Sequence, residues 1–279
     1  MKKFFVMLAA AAALLAAPGV QAQDSQLFNH MAIGVNMDLL NGAGLDIAMP
    51  IGPMFQVRAG FNTHDPLFNM VSLDGNKLSN FNTTIPVSYK DGGIDVDRVN
   101  LNGSLKYSHA ELLFDFFPTK TTSFHFTAGA WFAFSPLLHA DGKAMNSSGS
   151  NAVPQSDWAR TTLYDVSTNN EGSIVADVKF GLNTVKPYIG LGFGRPVSLE
   201  HRVGFNFNLG LLVTGGLHLY TYDFTSSDPK PVELNSEWAN KYGFQNMNDK
   251  VGTYLEYIDI LNKFPVWPAM RFSLFVRLF

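Results

Sequence analysis

Apolar and polar side chains alternate along most of this chain. The run Lys186–Gly216 shows the pattern most fully. Ile189, Leu191 and Phe193 alternate with Gly190, Gly192 and Gly194. Val203, Phe205, Phe207, Leu209, Leu211 and Val213 then alternate with Gly204, Asn206, Asn208, Gly210, Leu212 and Thr214. A strand sends successive side chains to opposite faces, so a period of two gives one apolar face and one small or polar face. The same alternation runs through Ile33–Leu39, Leu45–Ile51, Phe55–Asn62, Ala110–Phe116, Phe124–Phe134 and Ile174–Leu182. When every strand carries it, the apolar face meets lipid and the other face lines a lumen.

Turn chemistry separates these runs. Asn41-Gly42 tolerates positive φ, Pro50, Gly52 and Pro53 end a strand, and Pro118–Ser123 is compact. Two long polar stretches, 64–103 and 135–171, read as exposed loops, the first with strand extensions at Val87–Tyr89 and Val96–Leu101. Outer-membrane barrels have short periplasmic turns and long extracellular loops. On that pattern the short connections at Asn41 and at Arg195–His201 both fall on the extracellular side. Beyond Gly216 the pattern weakens to Leu217, Leu219 and Thr221. A helical period follows in 233–262, through Val251, Tyr254, Leu255, Ile258 and Leu261, and Pro265 and Pro268 stop it. Met270–Leu278 closes the chain as a last alternating strand.

These elements predict an all-β, transmembrane, antiparallel up-and-down β-barrel with one helical segment before the last strand. Eight segments precede Gly215 and one closes the chain. Bacterial single-chain barrels have even strand numbers, so Leu217–Phe224 supplies a tenth, with eight as the alternative. Ten strands would place the helix outside the cell, and eight would leave it periplasmic.

Composition narrows the class. Lys2 and Lys3, an apolar core from Phe4 to Ala17 and Val20-Gln21-Ala22 read as a secretory signal peptide over 1–22, leaving 23–279 as the barrel. There is no cysteine, which removes zinc–thiolate, iron–sulfur, disulfide and thiol-nucleophile chemistry, and the net charge of −3 does not suggest nucleic acid. Phe279 at the C-terminus suits the signal read by outer-membrane assembly machinery.

Pro187-Tyr-Ile-Gly-Leu-Gly-Phe-Gly194 followed by Arg202-Val-Gly-Phe-Asn-Phe-Asn-Leu-Gly210 resembles a family of small bacterial outer-membrane β-barrel proteins. Gly44-Leu45-Asp46, Val57–Asn62 and Leu113–Pro118 match as well. The family's Asp before Leu-Gly is Asn208 here, and its terminal Arg-Phe is Arg277-Leu278-Phe279. The resemblance implies an outer-membrane location and carries no activity with it.

The polar phase nominates lumen-lining residues: Asp38, Asp46, Arg58, His109, Glu111, Asp115, Asp177, Lys179, Asn206, Asn208, Arg271 and Arg277. Charges in a narrow barrel must be paired or hydrated. They form either a salt-bridge plug or a narrow polar path for solutes. His109-x-Glu111 matches half of a zinc-deaminase signature whose cysteine pair is missing. No spacing ties His109, His125 and Ser123 into a catalytic set. The strict period of Gly190, Gly192 and Gly194 fits room for bulky lumen partners, not a nucleotide loop. The functions in view are a porin-like, transport or envelope-structural role, a surface-loop binding role, and, third, a lipid-modifying enzyme. A non-enzyme is expected, without cofactor or metal. It would be monomeric in outer-membrane lipid and partnered by the barrel-assembly machinery and by a small solute.

Overall fold

The structure, a computed structural model, describes residues 28–38, 42–64, 72–73, 76–77, 80–91, 93–160, 162, 164–181, 184–198, 201–242, 257 and 259–279. The signal-peptide reading of 1–22 lies outside these residues, as do Val251, Tyr254, Leu255 and Ile258 of the helical period. In chain order the strands are β1 (Ala32–Asp38), β2 (Gly42–Gly52), β3 (Phe55–Thr63), β4 (Ser72–Leu73), β5 (Asn76–Lys77), β6 (Asn80–Asp91), β7 (Ile94–Leu105) and β8 (Ser108–Phe116). They continue as β9 (Phe124–Ala133), β10 (Leu138–Met145), β11 (Ile174–Phe180), β12 (Val185–Gly194), β13 (Val203–Val213), β14 (Leu217–Asp223), β15 (Lys230–Glu233) and β16 (Val266–Arg277). The helix α1 (Ser236–Lys241) starts at Asn235, whose side chain accepts from the Trp238 backbone N–H at 2.9 Å.

Eight strands close into an antiparallel barrel in the order β1-β16-β13-β12-β9-β8-β3-β2. Its outer wall is apolar. Val35, Leu45, Ile189, Leu191, Leu209 and Val276 are each exposed by half or more of their surface. Every barrel strand repeats the pattern, so a continuous apolar belt surrounds the molecule.

The barrel therefore has eight strands, and the expectation of ten is corrected. Two segments counted as barrel strands, β11 and β14, lie in a second sheet of six strands in the order β15-β14-β11-β10-β7-β6. Its four central strands repeat the order of the barrel wall β8-β9-β12-β13, each following or preceding its barrel partner by a few residues. β13 runs on into β14, and β11 into β12, in the same direction, so each pair is one long excursion of the wall and not a hairpin. At the kink between β13 and β14, Gly215 (φ 74°) and Gly216 (φ 91°) take up left-handed backbone, and Gly181 N–H donates to Gly216 O at 2.9 Å.

The topology also fixes the ends. The ends of β1, β3, β9 and β13 and the starts of β2, β8, β12 and β16 lie at one end of the barrel, with the long excursions that carry β6, β7, β10, β11, β14, β15 and α1 beyond it; Asn41 lies outside the described residues. The turns at 53–54, 117–123 and 195–202 lie at the other end with the barrel's first and last strand ends. Two expectations change as a result. The Arg195–His201 connection joins the short turns, because it links β12 to β13 at that end. The eight-stranded barrel keeps α1 at the end of the long excursions, since β13 runs toward that end and β16 returns from it.

The outward phase yields a prediction. In phospholipid vesicles, Leu209→Arg should lower unfolding stability in urea by ~2–4 kcal/mol, while Ser148→Arg on an exposed loop should change it by about 0.5 kcal/mol or less. Equal losses for the two would contradict the assignment of Leu209 to the outer wall.

Candidate functional site

The inward phase brings the charged residues together in the lumen. Arg58 on β3 grips Asp115 on the adjacent β8 with two parallel bonds, Nε to Oδ2 at 2.7 Å and Nη2 to Oδ1 at 2.9 Å. Neither side chain is exposed. The planar guanidinium matches a carboxylate in this geometry, which a lysine could not reproduce. Arg271 on β16 donates from Nη2 to Asp46 Oδ1 on β2 at 2.7 Å, and its Nη1 pairs with Glu111 on β8. In the barrel order β16 and β8 are four strands apart in either direction, so Arg271 and Glu111 span the full diameter. Asn36 Nδ2 adds a bond to Asp46 Oδ1 at 2.9 Å.

A polar strip joins this belt from the other side. Thr127 Oγ1 lies 2.7 Å from Asp115 Oδ1 and 2.7 Å from Asn208 Oδ1. Asn208 donates to Asn206, and Asn206 Nδ2 lies 3.1 Å from His125 Nε2. These contacts need the glycine opposite them. A Cβ on Gly192 would collide with the His125 ring, so the glycine phase makes room for lumen side chains as its spacing suggested.

Apolar layers seal both sides of the belt. Toward the long excursions, His109 stacks on Trp131 at 4.2 Å and 17°, and Trp131 on Tyr188 at 5.8 Å and 8°. Leu113, Leu212 and Tyr107 complete that layer, all buried. Toward the short turns, the 195–202 connection folds inward. Val197 exchanges two bonds with the Gln56 amide, at 2.9 and 3.1 Å, and packs with Phe275, Ala32 and Ala48. Arg195 stacks over Phe117 at 4.1 Å and donates to the carbonyls of Thr122 at 3.0 Å and Lys120 at 2.9 Å.

The nominated residues divide accordingly. Asp38, Asp46, Arg58, His109, Glu111, Asp115, Asn206, Asn208 and Arg271 are buried in the lumen. Arg277 sits at the short-turn end, half-buried, donating to Ser198 O at 2.9 Å. Asp177 and Lys179 are not in the lumen, because β11 belongs to the upper sheet. Gln56, Thr127, Trp131 and Tyr188 were not nominated. They share the inward phase of the charged residues, which is the signal that marks them. Among the described residues no group of acids and histidines is placed to hold a metal ion.

Asp177 and Lys179 anchor a different cluster. His139 Nδ1 lies 2.7 Å from Asp177 Oδ1, Tyr222 donates to Asp177 Oδ2 at 2.5 Å, and Lys179 donates to Tyr222 Oη at 2.6 Å. Burial pushes the Asp177 carboxyl up. The bonds from Tyr222 and His139 and the charge of Lys179 outweigh it, leaving the carboxyl below the usual carboxylate range.

No family model matches the chain, and no curated protein does. Among solved structures, the chain is similar to Acinetobacter baumannii CarO at 12% identity and a TM-score of 0.39, covering 88% of this chain and 96% of that one. It is similar to Acinetobacter baumannii CarO2 at 15% identity and a TM-score of 0.39, covering 89% and 98%. At these values the likeness decides neither fold nor function, and both stand on the chain's own geometry.

Two predictions follow from the pairs. Arg58→Met should destabilise by about 3–5 kcal/mol, because it strands the buried Asp115 carboxylate, while Arg58→Met with Asp115→Leu should recover most of that loss. Urea unfolding followed by gel mobility measures both. For Asp177, a lowered folded pKa means its stabilisation is complete above the ordinary carboxylate range and lost as pH falls through the lowered value. Protection factors of the β11 and β14 amides, corrected for the intrinsic pH dependence of exchange, should therefore fall as pH drops below the ordinary carboxylate value of about 4, and Asp177→Asn should flatten that profile.

Proposed function

We propose that the chain is an outer-membrane β-barrel of porin-like architecture whose lumen is closed. Its role is then to hold a β-sheet at the cell surface, an envelope-structural and surface-interaction role. One observation carries this reading: beneath an apolar outer wall, the mid-lumen section is filled by paired charges and stacked rings. Arg58, Asp115, Glu111, Trp131 and Leu212 are each at most 3% exposed. A water-filled channel would hydrate such groups instead of burying them.

The belt points to a membrane, because a soluble protein does not carry so large an exposed apolar surface. The chain would be exported through cleavage after Ala22, assembled by the barrel machinery, and monomeric in outer-membrane lipid. The upper sheet and α1 would stand outside the cell. A transport role has one observation in its favour: among the described residues, mid-lumen is filled by side chains alone, and parting Arg271 from Glu111 would open the section.

Planar-bilayer recording tests the closed lumen. The wild-type protein should show no steady conductance, because the ring layer, the charged belt and the Val197 layer each close the lumen. Steady ohmic conductance by the wild type would overturn the closed reading and favour transport. Orientation is tested separately with an impermeant thiol reagent on intact cells. Ser148→Cys should be labelled and Lys120→Cys protected, and the reverse result would invert the placement.

A further inference from the structure

The upper sheet has two unlike faces, and register assigns them. Directly paired residues share a face. Phe180 pairs with Leu217, and the row Leu105–Leu138–Val178–Leu219 lies on the same side. Phe180 meets Tyr107 at 5.5 Å and Trp267 at 6.1 Å, at the barrel mouth, so this apolar face is turned toward the barrel axis. The opposite face is turned away from the axis. It stands directly above the apolar belt, where the headgroups of a surrounding bilayer would lie.

That outward face carries a second kind of order. The row Asn80–Ser104–His139–Asp177–Tyr220–Glu233 crosses all six strands without an apolar side chain other than the tyrosine ring. The next row sets Asn82, Asn102 and Asp141 side by side on adjacent strands. Asn82 and Asn102 are exposed, and the Asp141 side chain, 3.5 Å from His139 Nε2, is 49% exposed. Carboxylates and cations balance: Asp141, Asp177 and Glu233 stand against Lys143, Lys179 and Arg98. Such a face offers no excess charge to a phosphate or a nucleic acid.

We propose that this face binds the uncharged sugars of the outer-leaflet glycolipid around the barrel. The proposal rests on the reading that the upper sheet stands outside the cell. Each exposed amide offers both donors and an acceptor, which suits vicinal hydroxyls that do both. Adjacent members of the row are one strand spacing apart, ~4.8 Å, comparable with the rise of one hexose along a glycan. Tyr220 supplies an aromatic face for the apolar C–H side of a sugar ring. Its ring is held by His218 at 6.1 Å and by Lys179 at 5.8 Å, so little ordering is needed on binding. The Asp177 cluster beneath it fixes the row.

The probe is the neutral outer-core oligosaccharide of lipopolysaccharide, freed of lipid, phosphate and the acidic inner-core sugars, titrated calorimetrically into the full mature chain in detergent. Saturable binding is expected. Asn82→Ala with Asn102→Ala, both at exposed positions, should weaken it by about tenfold, and Lys120→Ala at the far end should leave it unchanged. Raising salt from about 0.05 to about 0.5 M should change the affinity less than about twofold, because no charge is neutralised. No saturable binding, or binding indifferent to the Asn pair, overturns the proposal. So does binding by the phosphorylated oligosaccharide only, which would assign the contact to phosphate. Failure in any of these ways leaves the closed lumen and its orientation untouched, since neither enters the titration.

Discussion

The Arg271–Glu111 brace is the contact on which the other features of the barrel interior depend. It joins opposite walls of an eight-stranded barrel, and Asp46 shares the same guanidinium. Two carboxylates that close together could not both stay ionised in a dry interior without the cation between them. The neighbouring Arg58–Asp115 pair is held by two parallel nitrogen–oxygen bonds, and Thr127 adds a third contact to the carboxylate. Together the two arginines pair with three carboxylates, Asp46, Glu111 and Asp115, in a polar section enclosed by protein side chains. The stacked rings above it and the Val197–Phe275 layer below it keep it so.

That interior gives the outside its meaning. The outer wall is apolar at every second position, and the same four strands carry on past the barrel as β7, β10, β11 and β14. Above the kinks the sense of the alternation turns over. On β12 the outward residues are Ile189 and Leu191, whereas on β11 they are Asp177 and Lys179. On the proposed placement the surroundings of the outer side change there from hydrocarbon to water and headgroup, and the side chains follow. The tightly bonded Asp177–Tyr222–Lys179 cluster begins on this polar side of the boundary.

This reversal explains what the sequence showed and what it hid. Phase was legible in the barrel: Asn206, Asn208, Arg271 and Glu111 face inward as their alternation requires. The lumen network was legible as a class of contact, since charges on a narrow interior must pair. Strand number was not. A period of two says that a strand has two unlike faces, but not which solvent each face meets. Ile174–Phe180 therefore looked like one more lipid-facing strand, although its apolar side is turned toward the barrel axis. The break at Gly215-Gly216, counted as the start of a further barrel strand, is a kink in a continuing wall. Partner identity within the lumen was also beyond the sequence, because Arg271 and Glu111 are brought together by barrel closure and by no local spacing.

A double-mutant cycle between Arg271 and Glu111 tests the brace most directly. Unfolding free energies of the wild type, Arg271→Met, Glu111→Leu and the double variant would be measured in the same lipid vesicles. A barrel braced across its diameter predicts a coupling of about 2 kcal/mol or more, with the double variant more stable than the Arg271→Met single. Additive effects, within about 0.5 kcal/mol, would mean that the two residues do not meet across the lumen and would contradict the closed interior described above.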